Sequence, residues 1–250
     1  MNRHITNICN KKQIYKPLQA FILGLCIASS TSVVAQMLPV KDNLINLNSS
    51  EGEQLLIESK ARADYLPLSL QFVTQDNLAY CGVASMVMVL NALEIPAPEA
   101  PQYGKFRLFT QENFFNEKTR QVVDSQVVAR KGMTLEQLGQ LIGTYPVKAQ
   151  VYHAGNSSLE EFRKLALQNL QEPGNFILVN YLRSSLGQER GGHISPIAAY
   201  NEKTDRFLIL DVSRYKYPPI WVSASDLWQS MNTVDSDSGK TRGFVLINRQ

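Results

Sequence analysis

From Cys81 to Leu93 the chain is apolar nearly all the way round a helix. Val83, Met86, Val87 and Leu90 fall at i, i+3, i+4 and i+7, and Ala84 and Val89 widen the apolar surface. A helix with no polar face has to sit centrally, with other elements packed around it. Its first residue is a cysteine, and Pro96-Ala97-Pro98 stops it. A helix N-terminus offers unpaired N–H donors and the positive end of the macrodipole, which favour a thiolate over a thiol. A small core residue is the second reading of Cys81, because free cysteine is among the most buried residue types.

Around that helix the first half of the chain reads as helical and the second as strands. Thr134-Leu135-Glu136-Gln137 and Ser157-Ser158-Leu159-Glu160 have the Ser/Thr-x-x-Glu/Gln form of a capping box, and the second helix should stop at Pro173-Gly174. Phe176–Val179, Ile194–Tyr200, Phe207–Val212 and Phe244–Ile247 are short β-branched or aromatic runs bounded by turn residues, which read as strands. Ser223-Ala224-Ser225-Asp226 starts a short helix through Trp228. Helices first and an antiparallel sheet after is an α+β arrangement.

The start of the chain reads as an export signal. Arg3, Lys11, Lys12 and Lys16 form a basic region without acidic residues, Leu18–Ile27 is apolar, and Val33-Val34-Ala35 offers a cleavage site before Gln36. An uncleaved membrane anchor is the other reading, weakened by a short apolar stretch diluted by Ser29, Ser30, Thr31 and Ser32. Without residues 1–35 the chain has 21 basic against 22 acidic residues, and its formal charge moves from +3 to −1. The basic character belongs to the signal, so nothing argues for binding to nucleic acid or to an anionic membrane surface. Cys9 and Cys26 leave too, so Cys81 has no thiol partner within the mature chain, and a lone thiol in an oxidising compartment suggests a reactive role. The expected organisation is therefore a signal peptide at 1–35, a loosely ordered lead-in at 36–53 and one domain at 54–250, in an exported, periplasmic protein without a stable membrane span after cleavage. A homodimer stays among the assemblies the chain allows.

A thiol nucleophile needs a base, and the mature chain has two histidines, His153 and His193. If Asn201–Asp205 is a hairpin loop, residues i and 406 − i face each other, and Asp211 lies opposite Ser195. His193 is then a diagonal neighbour of Asp211 on the same face, roughly 7–8 Å away, within reach of an imidazole and a carboxylate. A one-residue slip would separate them. His193 would move the proton of Cys81, and Asp211 would orient the imidazole. Gln75, six positions before the cysteine, is either a polar loop residue or an amide donor to a developing oxyanion.

The order Gln75, Cys81, His193, Asp211 resembles that of papain-like cysteine peptidases, without the Cys-Gly-Ser-Cys-Trp signature of papain itself. The closer resemblance is to the catalytic domain of the phytochelatin synthase family. It rests on Tyr80-Cys81-Gly82-Val83-Ala84-Ser85, Leu90-Asn91-Ala92-Leu93, Gly192-His193-Ile194-Ser195-Pro196-Ile197, Leu208-Ile209-Leu210-Asp211-Val212, Tyr215-Lys216-Tyr217-Pro218-Pro219 and Gly239-Lys240-Thr241-Arg242-Gly243-Phe244, and covers about Leu66 to Ile247. It implies a papain-like fold and an enzyme whose cysteine attacks the Cys–Gly bond of glutathione, releases glycine and holds γ-Glu-Cys as a thioester. Water then gives γ-Glu-Cys, and a second glutathione gives a phytochelatin. Carried over, Cys81 is the nucleophile, His193 the acid/base, Asp211 the orienting acid and Gln75 the oxyanion donor. Arg183, Asp235 and Arg242 would bind the γ-glutamyl end, although each also reads as a solvated charge.

Longer family members carry a cysteine-rich C-terminal extension and more cysteines in the catalytic domain. Here Leu108–Ala129 has no cysteine, and His153 alone makes no transition-metal site. The expectation is therefore no protein metal site and no tightly bound cofactor. Cd²⁺ or Zn²⁺ would act as a metal–glutathione thiolate substrate, and hydrolysis would dominate over chain extension. A general exported cysteine peptidase and a non-catalytic glutathione- or metal-thiolate-binding protein are the alternatives.

Overall fold

In the computed structural model, which describes residues 37–249, seven strands form one antiparallel sheet. They are β1 (Ile45–Asn46), β2 (Val147–His153), β3 (Asn175–Leu182), β4 (Gly192–Asn201), β5 (Arg206–Ile209), β6 (Ile220–Ser223) and β7 (Gly243–Arg249), in the order β1-β6-β5-β4-β3-β7-β2. The α-helices are α1 (Ser50–Glu58), α2 (Tyr65–Leu70), α3 (Cys81–Ala92), α4 (Glu117–Val122), α5 (Ser125–Lys131), α6 (Leu135–Ile142), α7 (Leu159–Gln171) and α8 (Ala224–Met231). The α+β class follows, with helices on both faces of the sheet. Residues 1–36, including the stretch read above as an export signal with Cys9 and Cys26, lie outside the described residues. No helix among the described residues is long and apolar enough to cross a membrane.

Two apolar cores flank the sheet. One joins α3 and α6 to Leu178 of β3 and to Ile194 and Ala198 of β4. The other joins Phe162 of α7 and Leu227 of α8 to Ile177, Val179 and Ile197. Strands covered on both sides read as continuous apolar runs, which is why β3 and β4 stood out in the sequence. The all-apolar helix takes the central place expected of it: all ten residues from Cys81 to Leu90 are buried. Truncating Val87 or Leu90 to alanine would cost about 2–5 kcal/mol through lost contacts and a cavity.

The stretch at 36–53 is a correction. It is docked from Leu44 onward: Leu44 is buried, Ile45 pairs Trp221 and Asn46 pairs Ile220 at the sheet edge, and α1 begins at Ser50 under the Ser49 cap. A two-residue strand is too short to show a period, so no pattern along the chain marks it. The first half is also not wholly helical, since β2 precedes α7. The α7 cap is Ser158, accepting from Glu161 N, one residue beyond the expected box. Thr134 and Gln137 make the reciprocal box at α6 as expected.

The β4–β5 hairpin carries the register that builds the site. Next to the turn, Asn201 pairs Arg206, Tyr200 pairs Phe207 and Ala199 pairs Leu208; then the ladder shifts by one and Ile197 pairs Ile209. Leu210 N donates to Pro196 O at 3.1 Å, so the shifted register continues. The expected 406 − i relation therefore holds at the site end, because of a bulge between Ile197 and Ala199. Had the turn-end register continued, Asp211 would have faced Pro196 and pointed away from His193.

Candidate active site

Cys81 opens α3, and Tyr80, the N-cap, supplies no side-chain cap. The first-turn amides are thus not spent on a Tyr80 side-chain cap, and the positive end of the macrodipole lies at the residue that bears the thiol. Ser85, one turn on, donates to Cys81 O at 2.7 Å and contacts Ile194 O at 3.2 Å, which ties the start of α3 to the start of β4. Gly82 permits this approach: a Cβ there would lie 2.6 Å from Met133 Sδ and 3.2 Å from Ile194 Cδ1.

His193, near the start of β4, hydrogen-bonds the Cys81 thiol. Its Nε2 lies 2.9 Å from Asp211 Oδ1 and 3.0 Å from Ser195 Oγ, so Nδ1 is the nitrogen left for the sulphur. Tyr181, paired with His193 on β3, packs edge-on against the imidazole with centroids 5.6 Å apart. The residues expected to form a triad are therefore brought together in the order thiol, imidazole, carboxylate.

Burial raises the thiol pKa, but the His193 hydrogen bond and charge, the Ile194 main-chain bond and the Arg183 charge outweigh it and bring Cys81 below its ordinary value. Burial lowers the His193 pKa, while the charge and hydrogen bond of Asp211 raise it further, with a net shift upward. Both directions favour a thiolate–imidazolium pair. Burial likewise opposes ionisation of Asp211, yet His193 and Arg183 hold its carboxyl far below the usual carboxylate range.

Arg183 is a correction. It follows β3 and is 3% exposed, with both terminal nitrogens committed inside the protein. Nη2 donates to Asp211 Oδ1 at 2.8 Å, and Nη1 contacts Asp211 Oδ2 at 2.7 Å and Gln188 Oε1 at 2.7 Å. Tyr217 covers the guanidinium, with Cζ 5.1 Å from the ring centroid. Arg183 therefore holds the triad carboxylate rather than a substrate.

Gln75 is buried beside the triad. Its Nε2 donates to Asn77 O and its Oε1 accepts from Ser213 Oγ, both at 2.6 Å, while Ser213 N donates to Asp211 Oδ1 at 2.8 Å. The amide has a second hydrogen for an oxyanion. Ser195 and Ser213 were missed from the sequence, although each stands two residues after a triad member and so on its face of an extended chain.

Cys81 and His193 open on a cleft of about 370 Å³. Asp235 and Arg242, the two residues assigned above to the γ-glutamyl end, line it together with Gly192. Arg242 Nη1 donates to Val234 O at 2.7 Å, and Nη2 stands 3.6 Å from Asp235 Oδ1. Its Nε is buried without a partner, a donor directed at nothing in the protein. Gly192 makes room for this guanidinium: a Cβ there would sit 3.2 Å from Nη2. Among the described residues no three His, Cys, Asp or Glu side chains are grouped to hold a metal ion.

Comparison with known proteins agrees with this geometry. Residues 35–244 match the family model described as phytochelatin synthase. The chain is 36% identical over 208 residues to glutathione gamma-glutamylcysteinyltransferase 1 of Lotus japonicus, covering 82% of this chain and 40% of that protein. It is 34% identical to glutathione gamma-glutamylcysteinyltransferase 1 of Arabidopsis thaliana over 82% of this chain and 42% of the relative. It is 32% identical to glutathione gamma-glutamylcysteinyltransferase of Schizosaccharomyces pombe over 80% of this chain and 48% of the relative. The chain spans less than half the length of these relatives.

Proposed function

Because the chain belongs to the phytochelatin synthase family, we propose that it acts on glutathione as a γ-glutamylcysteinyl transferase with a papain-like fold. The observation that carries this reading is a hydrogen-bonded Cys81–His193–Asp211 chain opening on the same cleft as Asp235 and Arg242. Asp235 suits the γ-glutamyl ammonium. The unpartnered Nε of Arg242 suits its carboxylate.

The thiolate of Cys81 attacks the cysteinyl carbonyl of glutathione, and the oxyanion meets the N–H of Cys81 and the free amide hydrogen of Gln75. His193 gives the proton on Nδ1 to the glycine nitrogen as the C–N bond breaks, leaving γ-Glu-Cys as a thioester on Sγ. Neutral His193 then takes a proton from water, or from the γ-glutamyl amine of a second glutathione, as either attacks the thioester. The products are γ-Glu-Cys or (γ-Glu-Cys)₂-Gly. Water is the main acceptor in this reading. Cd²⁺ and Zn²⁺ enter as thiolates of the substrate, consistent with the single thiol after residue 35. The basic and apolar character of residues 1–35 supports export to the periplasm.

Incubation with glutathione and, separately, with the α-linked tripeptide Glu-Cys-Gly tests the substrate, with products followed by mass spectrometry. Glycine and γ-Glu-Cys from glutathione alone are expected. Equal cleavage of both peptides would mean a general peptidase, and no cleavage of either would mean a binding protein.

A further inference from the structure

We infer that His153, protonated on both ring nitrogens, is a positioning residue that latches the segment bearing Asp235 and Arg242 onto the sheet and so sets the affinity of the cleft. The inference rests on the proposed reading of that cleft as the γ-glutamyl site. The segment is a closed hairpin: Val234 bridges Thr241, Asp235 N donates to Lys240 O, and Gly239 N donates to Asp235 O. Asp235 and Arg242 stand at its two ends. Its Thr241 limb is fastened to β2 and α6. Ala154 N donates to Arg242 O, Gly155 N donates to Thr241 Oγ1, and Lys240 pairs with Glu136 of α6.

His153 sits at the centre of this fastening. Its Nε2 lies 2.7 Å from Glu136 Oε1, and its Nδ1 meets the main-chain carbonyl of Thr241. A carbonyl only accepts. The carboxylate oxygen already receives Lys240, and although burial pushes Glu136 up, Lys240 and His153 bring it below its ordinary value, so it too only accepts. Two acceptors on two ring nitrogens require two protons. A neutral ring leaves one acceptor facing a lone pair and unfastens either α6 or the hairpin. The charged groups around the ring are Glu136 from α6 and Lys240 from the hairpin; Arg242, next along, is turned towards Asp235 and Val234 O.

The test uses the full chain with Cys81→Ala and measures calorimetric binding of S-methylglutathione, whose blocked thiol does not titrate. Loss of one ring proton removes one hydrogen bond, so affinity should fall about tenfold between pH 6 and a higher pH at which nitrogen NMR finds the ring singly protonated. Adding Glu136→Gln should keep affinity at both pH values, because the amide donates to a neutral Nε2 while Nδ1–H still serves Thr241 O. Adding His153→Gln should weaken binding at both. Nitrogen NMR of the imidazole at pH 6 should find both nitrogens protonated. A ring singly protonated already at pH 6, or the same pH dependence with Glu136 and with Gln at 136, overturns the latch. Absence of binding at every pH with a doubly protonated ring overturns the glutathione reading itself, and the positioning role with it.

Discussion

Arg183 grips both oxygens of Asp211, at 2.8 Å to Oδ1 and 2.7 Å to Oδ2, while His193 Nε2 meets Oδ1 at 2.9 Å. The pair is fully desolvated, so the carboxylate has one orientation, and His193 takes its position from it. Removing one partner of a buried ion pair leaves an uncompensated charge and costs about 3–5 kcal/mol. Arg183→Ala should therefore lower the melting temperature and kcat together. A substrate-binding arginine would instead raise KM with the melting temperature unchanged, and thermal melts beside steady-state kinetics separate the two.

The pH profile of glutathione deglycination should be bell-shaped. Its acid limb marks protonation of the Cys81 thiolate, displaced below the ordinary cysteine range, and its alkaline limb marks loss of the His193 proton, displaced above the ordinary histidine range. Asp211→Asn removes the charge that supports the imidazolium, so the alkaline limb should move down and the rate fall about 10²-fold or more. Pre-steady-state glycine release across pH reads both.

How much of this site was legible in the sequence depended on distance along the chain. Cys81 and its helix are local and were legible from apolar spacing alone. His193 and Asp211 were joined by a register that holds only because of the bulge between Ile197 and Ala199, which no composition in that run announces. Arg183 showed its charge in the sequence but not its direction; burial behind Asp211 is a tertiary fact. Gln188 became visible only once the loops after β5 and β3 met. β2 alternates Val147, Ala149 and Val151, yet its intervening Lys148 and Gln150 carry little strand preference, as suits an edge.

Asp64 should make the fold weaken as pH rises. It is buried, neither carboxyl oxygen has a partner, and burial pushes its pKa up to about 9. Between the ordinary carboxylate pKa and about 9 the folded chain keeps a proton that the unfolded chain has lost, so stability falls with pH across that window. Asp64→Asn, neutral throughout, should raise the melting temperature, with a gain larger at pH 8 than at pH 5. A gain that does not change with pH would refute the neutral buried acid.

Gly192 and Arg242 should act on substrate binding. Gly192→Ala puts a methyl group against the Arg242 guanidinium, and Arg242→Gln removes the unpartnered Nε donor. Both should raise KM for glutathione, Arg242→Gln by about tenfold or more, as for a lost charge-assisted hydrogen bond. Acylation at saturating substrate should change less, and a kcat effect larger than the KM effect would contradict the assignment.

The most direct measurement is intact-protein mass spectrometry after rapid quenching of the protein with glutathione, followed by peptide mapping. A γ-Glu-Cys adduct is expected on Cys81 as a hydroxylamine-labile thioester, with one glycine released per adduct, and no adduct in Cys81→Ser. Glycine release without an adduct on Cys81, or an adduct unchanged in Cys81→Ser, would contradict it.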